Sequence, residues 1–446
     1  MPAMKSQFEQ TDVVIIGGGL AGLGAAAYLA RAGVAVTVFE KAPTPGGRAS
    51  TQNHDGYLFN RGIHALYTGG AASEVLQELD ISYSGHSPKA ISALRQGRFH
   101  VAPVDTATLL RTDLLDLADK LELMRLLTRF PRLNAQEVRH TSVQEWLDKN
   151  VRRPRLHQFM AANARTLVYC SSLDLVSADV FIIKMQLALK HPILYLDGGW
   201  QTLVQGLWRK AEQAGARVLT GHRVEAIEYQ DGQIQGVRLS DGTTINPLAV
   251  VIATAPKDAV KLIDNGQYKP LRQIVNSLIP AQVACLDVAL RRLPNMHHTI
   301  VQDLDGPRFM STHSLYSRVA PQGGAIIYTF KQLDPRQVSD PHEDERDLEA
   351  LLDAAQPGWR ELLVHRQYLP RIDAIGMLPT ARAGGYAGRP GPTVPGITNL
   401  YLAGDWIGEG FLADASLGSA RQVAQILLKA GLARPEKREP LASYAR

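Results

Sequence analysis

The sequence predicts an α/β fold built around a parallel sheet that binds a dinucleotide. A short apolar run, Val13 to Ile16, is followed at once by glycines in a G-x-G-x-x-G spacing. Strand-like and helix-like segments then alternate in three separated stretches of the 446 residues, as in a doubly wound sheet. We therefore expect a Rossmann-like domain, interleaved in sequence with a second, mixed α+β domain.

Glycine is expected at each of three positions in the first turn for a different physical reason. The preceding run is rich in β-branched residues, as a strand buried on both faces requires. Gly17 permits a tight turn, Gly19 lets the backbone approach a pyrophosphate, and Gly22 allows a helix to pack closely. The phosphates are expected at the helix N-terminus. The predicted contacts in this turn also include Gly18, Leu20 and Ala21.

A helix and a second strand follow the glycines. The alanine-rich residues 25–30 favour a helix that Gly33 ends, and alternating valines over 34–38 favour a strand. Glu40 closes that strand, where a carboxylate can accept hydrogen bonds from ribose hydroxyls and would repel a 2′-phosphate. Lys41, the next residue, is included in the predicted cofactor site.

A Gly-Gly-Arg segment at residues 46–48 distinguishes between two dinucleotides. Gly47 lets the chain fold back over the cofactor, and Arg48 can pair with a phosphate. Together with the glycine turn, this segment resembles the flavin-binding start of the amine oxidase, protoporphyrinogen oxidase and phytoene desaturase superfamily. Simple NAD dehydrogenases lack that ending. The resemblance implies FAD as the cofactor.

Residues 197–254 resemble the middle of the same flavin-binding domain. They predict a helix followed by several strands, with a hairpin at Asp241-Gly242. In the superfamily, a valine at the place of Val224 presents backbone groups to the adenine. An apolar residue in the core of a strand has the same pattern, so both interpretations of Val224 stay open.

Residues 400–429 resemble the last part of that domain. An apolar strand ends in Gly404-Asp405, and a helix pattern follows from Ala415. Gly404 allows close approach of the backbone, and Asp405 can accept hydrogen bonds from ribityl hydroxyls. The helix N-terminus at Ala415 is expected to face the flavin pyrimidine. The superfamily has Gly-Ala where this chain has Asp414-Ala415, and a carboxylate beside a reduced flavin is unfavourable unless it points away or is protonated.

These pieces predict the division of the chain. We expect a FAD-binding domain from residues 1–70, 191–270 and 391–432, and a substrate domain from residues 71–190 and 271–390. Residues 433–446 are charged and contain prolines, so we expect a frayed tail there.

One segment carries a candidate for the chemistry. Residues 56–64 resemble the segment near the isoalloxazine in this superfamily, and their Gly-x-His ending is closest to that of squalene-associated desaturases and hydroxysqualene dehydroxylase. The implied contacts are Gly62, Ile63 and His64, with His64 as the candidate catalytic residue. A histidine after a glycine turn is equally often a structural hydrogen-bond donor. Three further histidines read as loop residues without evident partners: His297, His298 and His313.

A leucine-rich stretch, Leu109 to Phe130, predicts one long helix. We expect it to pack inside the substrate domain. A helix lying on a membrane surface is the alternative, because basic residues lie among the leucines. Four acidic side chains weaken attraction to anionic lipid and favour the packed helix.

Composition excludes several classes. The 48 Lys and Arg exceed the 43 Asp and Glu only slightly, and no basic run has the length of a nucleic-acid footprint. The two cysteines are far apart and lack metal-ligand spacing, so we predict buried free thiols and no metal site. No window has the roughly 20 apolar residues of a membrane span. We expect a cytoplasmic protein, with peripheral membrane contact left open.

Three functions fit these patterns. The branch resemblance favours an oxidoreductase that transfers hydride from a lipophilic, isoprenoid or polyene-like substrate to FAD. The alternatives are a flavin amine oxidase and a flavin-binding module without catalysis. Amine substrates usually require an aromatic cage, for which Trp406 is the best candidate wall. Gly384 to Pro390 lacks the strand and helix of an NADPH site, so oxygen or a quinone is the expected acceptor.

Overall fold

A computed structural model describes residues 11–432 of the chain. Within this range the strands in chain order are β1 (Val13–Ile16), β2 (Val36–Glu40), β3 (Thr51–His54), β4 (Tyr57–Asn60), β5 (Leu66–Tyr67), β6 (Gly85–His86), β7 (Ser92–Arg95), β8 (Arg98–Val101), β9 (Ile193–Leu196), β10 (Arg217–Thr220), β11 (Val224–Gln230), β12 (Gln233–Leu239), β13 (Thr244–Ile245), β14 (Ala249–Ile252), β15 (Ala281–Leu290), β16 (Ile300–Asp303), β17 (Arg308–Thr312), β18 (Ala325–Gln332), β19 (Leu363–Ile375) and β20 (Leu400–Leu402). The α-helices of the same range are α1 (Leu20–Arg31), α2 (Ala71–Glu78), α3 (Thr106–Arg111), α4 (Leu117–Arg129), α5 (Val143–Asn150), α6 (Pro154–Val168), α7 (Ala178–Lys190), α8 (Gln201–Gln213), α9 (Pro256–Ala259), α10 (Lys269–Ser277), α11 (Pro341–Ala355) and α12 (Ala413–Leu427).

A five-stranded parallel sheet forms the first layer. Its order is β10-β2-β1-β14-β20, and every neighbouring pair runs parallel. The four residues of β1 are buried, because helices α1, α8 and α12 cover one face and a second apolar cluster covers the other. This arrangement confirms the predicted α/β class. Ligands of such sheets bind at the carboxyl ends of the strands, where β1 sits between neighbours reached by opposite crossovers.

A seven-stranded mixed sheet forms the second layer. Its order is β19-β15-β18-β17-β16-β7-β8, with one parallel pair between β16 and β7. Helix α11 packs on one face, and the cluster of helices from α4 to α7 packs around the other side. All seven strands come from residues 71–190 and 271–390, whereas all five parallel strands come from the remaining segments. This segregation supports our division into two domains, which stays a proposal.

The prediction of one long helix over residues 109–130 is wrong. Two helices, α3 and α4, replace it, because Thr112 is extended and Asp116 starts a new helix by accepting the N–H of Asp119 at 2.8 Å. Helix α4 buries Leu123 and Leu126. The remaining apolar residues on its outer face are exposed: Leu117, Leu121 and Met124.

The other predicted elements form close to their expected limits. The first strand, the helix before Gly215, the hairpin at Asp241-Gly242 and the helix after residue 412 are all present. Both cysteines are buried and free, as predicted. No helix within residues 11–432 is long and apolar enough to cross a bilayer. The tail predicted for residues 433–446 lies outside the described residues.

Candidate cofactor and active site

The glycine turn leaves an open recess at the end of β1. Gly17 has a φ of +109°, and a Cβ on Gly22 would lie 1.9 Å from the Gly17 carbonyl oxygen. A Cβ on Gly19, in contrast, would meet no atom within 4 Å. Leu20 and Ala21 are buried in the first turn of α1, whose N-terminus has no side-chain cap. Free N–H groups beside open space suit a phosphate.

Two further segments border this recess. Gly46 donates its N–H to the Gly18 carbonyl oxygen at 2.8 Å, so the Gly-Gly-Arg turn folds back onto the glycine turn. The two carboxylate oxygens of Glu40 accept the N–H groups of Gly18 at 2.7 Å and Ala42 at 2.8 Å. A carboxylate oxygen has more than one acceptor site, so Glu40 can also accept from ribose hydroxyls. Gly47 lies beside Gly19, with 3.9 Å between the Gly19 Cα and a built Gly47 Cβ.

Lys41 is engaged in an ion pair of its own. Its ammonium group lies 2.7 Å from an oxygen of Asp258, in an exposed ion pair. A contact of Lys41 with the cofactor stays a prediction.

Arg48 and Asp405 form a bidentate ion pair across the site. One guanidinium nitrogen donates to Asp405 at 2.8 Å, and a second nitrogen contacts the other carboxylate oxygen. Asp405 is buried and also accepts the N–H of Gly376 at 2.7 Å. Burial alone would raise the pKa of Asp405, but the charge and hydrogen bonds of Arg48 lower it below its usual value. The sequence assigned these residues to different parts of the cofactor, whereas here they bind each other.

Two side chains pack closely against the turn at Gly62. Gly62 has a φ of +81°, and a Cβ there would lie 2.8 Å from Ile372 Cδ1 and 3.1 Å from Cys285 Sγ. Only glycine fits both the conformation and the space. Ile63 packs against the largest apolar cluster of the described residues.

His64 is a partly buried, neutral imidazole. Its Nδ1–H donates to the Gly62 carbonyl oxygen at 2.9 Å, which fixes the ring orientation. Its ring centroid lies 5.0 Å from that of Trp200, which the sequence analysis did not assign to the site. Burial, with the charge of Arg48, lowers the pKa of His64. His64 therefore offers hydrogen bonding rather than charge at neutral pH.

Two side chains of β15 lie against this turn, and the sequence did not assign them to the site. Asp287 is fully buried, and burial raises its pKa well above the usual value despite a hydrogen bond from Gln367 at 3.3 Å. Burial likewise raises the pKa of the Cys285 thiol. Burial thus disfavours the charged form of both groups. The signal that could have found Asp287 is a single acid in an otherwise apolar strand, residues 281–290.

Asp414, at which this chain differs from the superfamily pattern, lies in the first turn of α12. One oxygen of Asp414 accepts the Ala72 N–H at 3.0 Å, and the other lies 3.5 Å from the Lys184 ammonium. Lys184 is buried, and its Nζ lies 4.4 Å from the ring centroid of Tyr67 and 5.5 Å from that of Phe411. Burial lowers the pKa of Lys184, while Asp414 opposes that shift. Asp414 is thus paired with Lys184, a partner that the sequence did not predict.

The remaining residues of the last segment border the parallel sheet. Gly404 has a φ of +153° and donates its N–H to the Ser419 hydroxyl at 2.9 Å. Ala415 is fully buried in α12, which has no side-chain cap. Val224 is buried in the apolar cluster beneath the sheet, as a strand-core residue would be. Its contact with adenine stays a prediction.

Two expectations are wrong. Trp406 is fully buried in the core of the parallel sheet, where its indole N–H donates to the Thr254 carbonyl at 3.2 Å, so it cannot form a wall of an aromatic cage. His298 and His313 have partners: their rings stack on those of Phe99 at 3.8 Å and Tyr195 at 3.7 Å. Within residues 11–432, no cluster of His, Cys, Asp or Glu is arranged to hold a metal.

The residues present fit a flavin dinucleotide. The open recess at Gly19, the Glu40 carboxylate and the uncapped N-termini of α1 and α12 come from separate parts of the chain. All of them border the parallel sheet, as the sequence predicts for pyrophosphate, ribose and isoalloxazine. The turn from Gly62 to His64 adds an apolar side to this site.

Comparison with known proteins gives the same family. The model of a family described as flavin containing amine oxidoreductase matches residues 20–328, more than half of the chain. A phytoene desaturase of Fusarium fujikuroi is 25% identical over 315 residues, covering 62% of this chain and 54% of its own length. A 4,4′-diaponeurosporene oxygenase of Staphylococcus aureus is 24% identical, covering 64% of this chain and 65% of its own. The chain thus spans about half to two thirds of these relatives' lengths.

A solved structure extends the likeness to the whole fold. An oxidoreductase from Methanosarcina mazei has a TM-score of 0.74 at 20% identity, covering 93% of this chain and 99% of its own. At this identity the likeness establishes the fold alone.

Proposed function

The chain belongs to the flavin containing amine oxidoreductase family, whose cofactor here is FAD, and from that premise we propose an oxidoreductase acting on a lipophilic, isoprenoid or polyene-like substrate. When bound, FAD supplies the hydride-accepting chemistry. The protein's own residues bind and orient the two partners. The proposed FAD contacts are Gly17, Gly18, Gly19, Leu20, Ala21, Gly22, Glu40, Lys41, Gly47, Arg48, Gly62, Ile63, His64, Val224, Gly404, Asp405 and Ala415.

The proposed substrate class depends mainly on the position of Lys184. An amine substrate binds as an ammonium and calls for aromatic faces or a free carboxylate. The rings of Tyr67 and Phe411 already hold the chain's own ammonium, and Asp414 is already paired with it. A second cation beside Lys184 would be repelled. An uncharged hydrocarbon meets no such penalty.

The surroundings of Ile63 support the same choice. The apolar cluster against this turn includes stacked rings of Tyr169 and Phe330, whose centroids lie 5.6 Å apart. Burial disfavours the charged form of Asp287, the acid under the turn. The resemblance to a phytoene desaturase, though distant, points in the same direction.

We assign His64 a contact role toward flavin or substrate. Its neutral ring is oriented by Gly62 and backed by Trp200, which suits a hydrogen bond at a fixed position. For the electron acceptor we propose oxygen or a quinone, since residues 385–388 form a short 3₁₀ turn rather than a second dinucleotide site.

Anaerobic mixing of the FAD-loaded protein with candidate substrates tests this proposal. A polyene such as squalene should bleach the oxidised flavin band, whereas squalane, the saturated hydrocarbon of the same shape, should not. Primary amines and amino acids should leave the band unchanged. Rapid reduction by a small amine, with no response to any unsaturated isoprenoid, would overturn the proposal and favour a flavin amine oxidase.

A further inference from the structure

Exposed apolar side chains of the described residues are concentrated in one short stretch of the chain. Of the twelve large apolar residues that are exposed within residues 11–432, six fall between Val101 and Met124. Leu110 and Leu117 are each 74% exposed, and Leu121 and Met124 are each 44% exposed. Scattered apolar residues need no explanation, but a concentration of this kind indicates a binding surface.

Helix α4 has two apolar faces. Leu123 and Leu126 face the core. The opposite face carries Leu117, Leu121 and Met124, which lie within about 60° of one another at 100° per residue; we call these three residues the outer stripe. A helix with only one contact would keep this second face polar.

Two cations flank the outer stripe. At helical spacing, Lys120 lies on one side of it and Arg125 on the other. Neither forms an ion pair in the part of the chain that the structure describes; Lys120 donates only to the Leu110 carbonyl oxygen, at 3.2 Å. Basic side chains beside an apolar stripe are the pattern of helices that lie in the membrane interface.

The acidic residues of this segment are turned to other partners. Asp116 and Asp119 both pair with Arg153, and Asp119 is buried on the core side. Glu122 accepts the backbone N–H groups that precede α6. Asp113 lies 2.9 Å from His100. Among the described residues, the acids that weaken a lipid-binding interpretation from the sequence therefore form no ion pair with the flanking cations; Asp113 is influenced by the charge of Lys120.

We propose that the outer stripe of α4 docks on a membrane surface that contains anionic lipids. The helix lies in the interface plane, with its leucines among the acyl chains and Lys120 and Arg125 at the phosphates. The proposal extends the proposed function, because a lipophilic substrate would be collected from the same membrane. The docking itself requires no turnover.

Vesicle sedimentation of the FAD-loaded full chain tests the proposal without any substrate. We expect co-sedimentation with vesicles of phosphatidylcholine and phosphatidylglycerol, and weaker binding as salt rises. The variant Leu117→Gln/Leu121→Gln/Met124→Gln should lower the partition coefficient by about tenfold or more, since each loss removes buried apolar area. Its matched control replaces three exposed apolar residues elsewhere: Leu248→Gln/Met296→Gln/Val338→Gln. The control should bind like the wild type.

A charge variant distinguishes electrostatic attraction to anionic lipid from nonspecific adsorption of the apolar side chains. Lys120→Gln/Arg125→Gln should weaken binding to anionic vesicles by roughly fivefold per cation and leave binding to neutral vesicles unchanged. The control, Lys257→Gln/Lys261→Gln, removes two exposed cations from another surface and should have no effect.

Three outcomes overturn the proposal. One is a wild type that does not sediment with anionic vesicles. Another is equal binding by the stripe variant and its control. The third is a wild-type dimer, measured by light scattering, that the stripe variant dissociates without any vesicle binding; the stripe is then an interface between two copies. Flavin bleaching plays no part in these readouts, so failure here leaves the proposed oxidoreductase function standing.

Discussion

Gly19 and Gly22 belong to one turn but exclude side chains for different reasons. A Cβ on Gly22 would lie 1.9 Å from the Gly17 carbonyl oxygen, so the fold itself requires glycine there. A Cβ on Gly19 meets no atom within 4 Å, and its φ of −80° is ordinary for any residue. The space beside Gly19 is therefore needed by the ligand rather than by the protein.

We expect Gly19→Val to abolish FAD binding while the apoprotein unfolds at the same temperature as the wild-type apoprotein. The branched side chain fills the approach to the pyrophosphate without touching the protein. Gly22→Ala is the matched control and should lower the stability of the apoprotein by about 1–3 kcal/mol. FAD content and thermal unfolding of both variants provide the measurement. Full FAD loading of Gly19→Val would show that the dinucleotide lies elsewhere.

Arg48→Ala should weaken FAD binding by about tenfold or more, because a charge-assisted contact is worth about 1.5–3 kcal/mol. Arg48→Lys keeps the charge but not the fork that binds Asp405, so its affinity should fall in between. Fluorescence titration of each apoprotein with FAD measures both. Equal affinities of all three proteins would exclude Arg48 from the site.

The same pair predicts a pH dependence of stability. The pKa of Asp405 is lowered in the folded protein, so the pair stabilises the fold fully above the unfolded value of about 3.9. That contribution is lost as the pH falls through the folded pKa. The stability difference between wild type and Arg48→Ala should thus be constant near neutral pH and shrink below about pH 4.

At the scale of elements, Lys184 and Asp414 join α7 to α12. Both side chains are almost fully buried, so removing one partner leaves an uncompensated charge. We expect Lys184→Met to cost about 3–5 kcal/mol of stability, and Lys184→Met/Asp414→Asn to recover most of it. Urea unfolding of the two variants and of Asp414→Asn gives the coupling free energy. Additive effects would mean that the two groups do not interact.

Local patterns predicted the elements around the cofactor, and long-range pairs escaped prediction. The first strand, the glycine turn and the strand that precedes Gly404 each have a signal within a few residues. The Arg48 and Asp405 pair spans 357 residues, and the Lys184 and Asp414 pair spans 230. No local periodicity of the sequence predicts contacts between residues so far apart. The leucine spacing predicts one helix over both α3 and α4, although the capping signal of Asp116 marks the start of a second helix.

At the scale of the whole molecule, three separated segments build one parallel sheet and its cofactor edge. The strands of the second sheet come entirely from the two intervening segments. We propose that the substrate side of the site lies where the turn of His64 meets the apolar cluster of the second layer, which includes Phe411 beside Lys184. The outer stripe of α4 belongs to the second layer and is exposed.

The central claim is that this chain holds one FAD without a covalent bond. Burial raises the pKa of Cys285, the thiol that lies against the Gly62 turn, and a protonated thiol is a poor nucleophile. Acid precipitation of the purified protein, followed by flavin analysis of pellet and supernatant, tests the claim directly. We predict about one FAD per chain, all of it in the supernatant. Protein purified without flavin that cannot be loaded with FAD, or flavin that stays in the pellet, would contradict it.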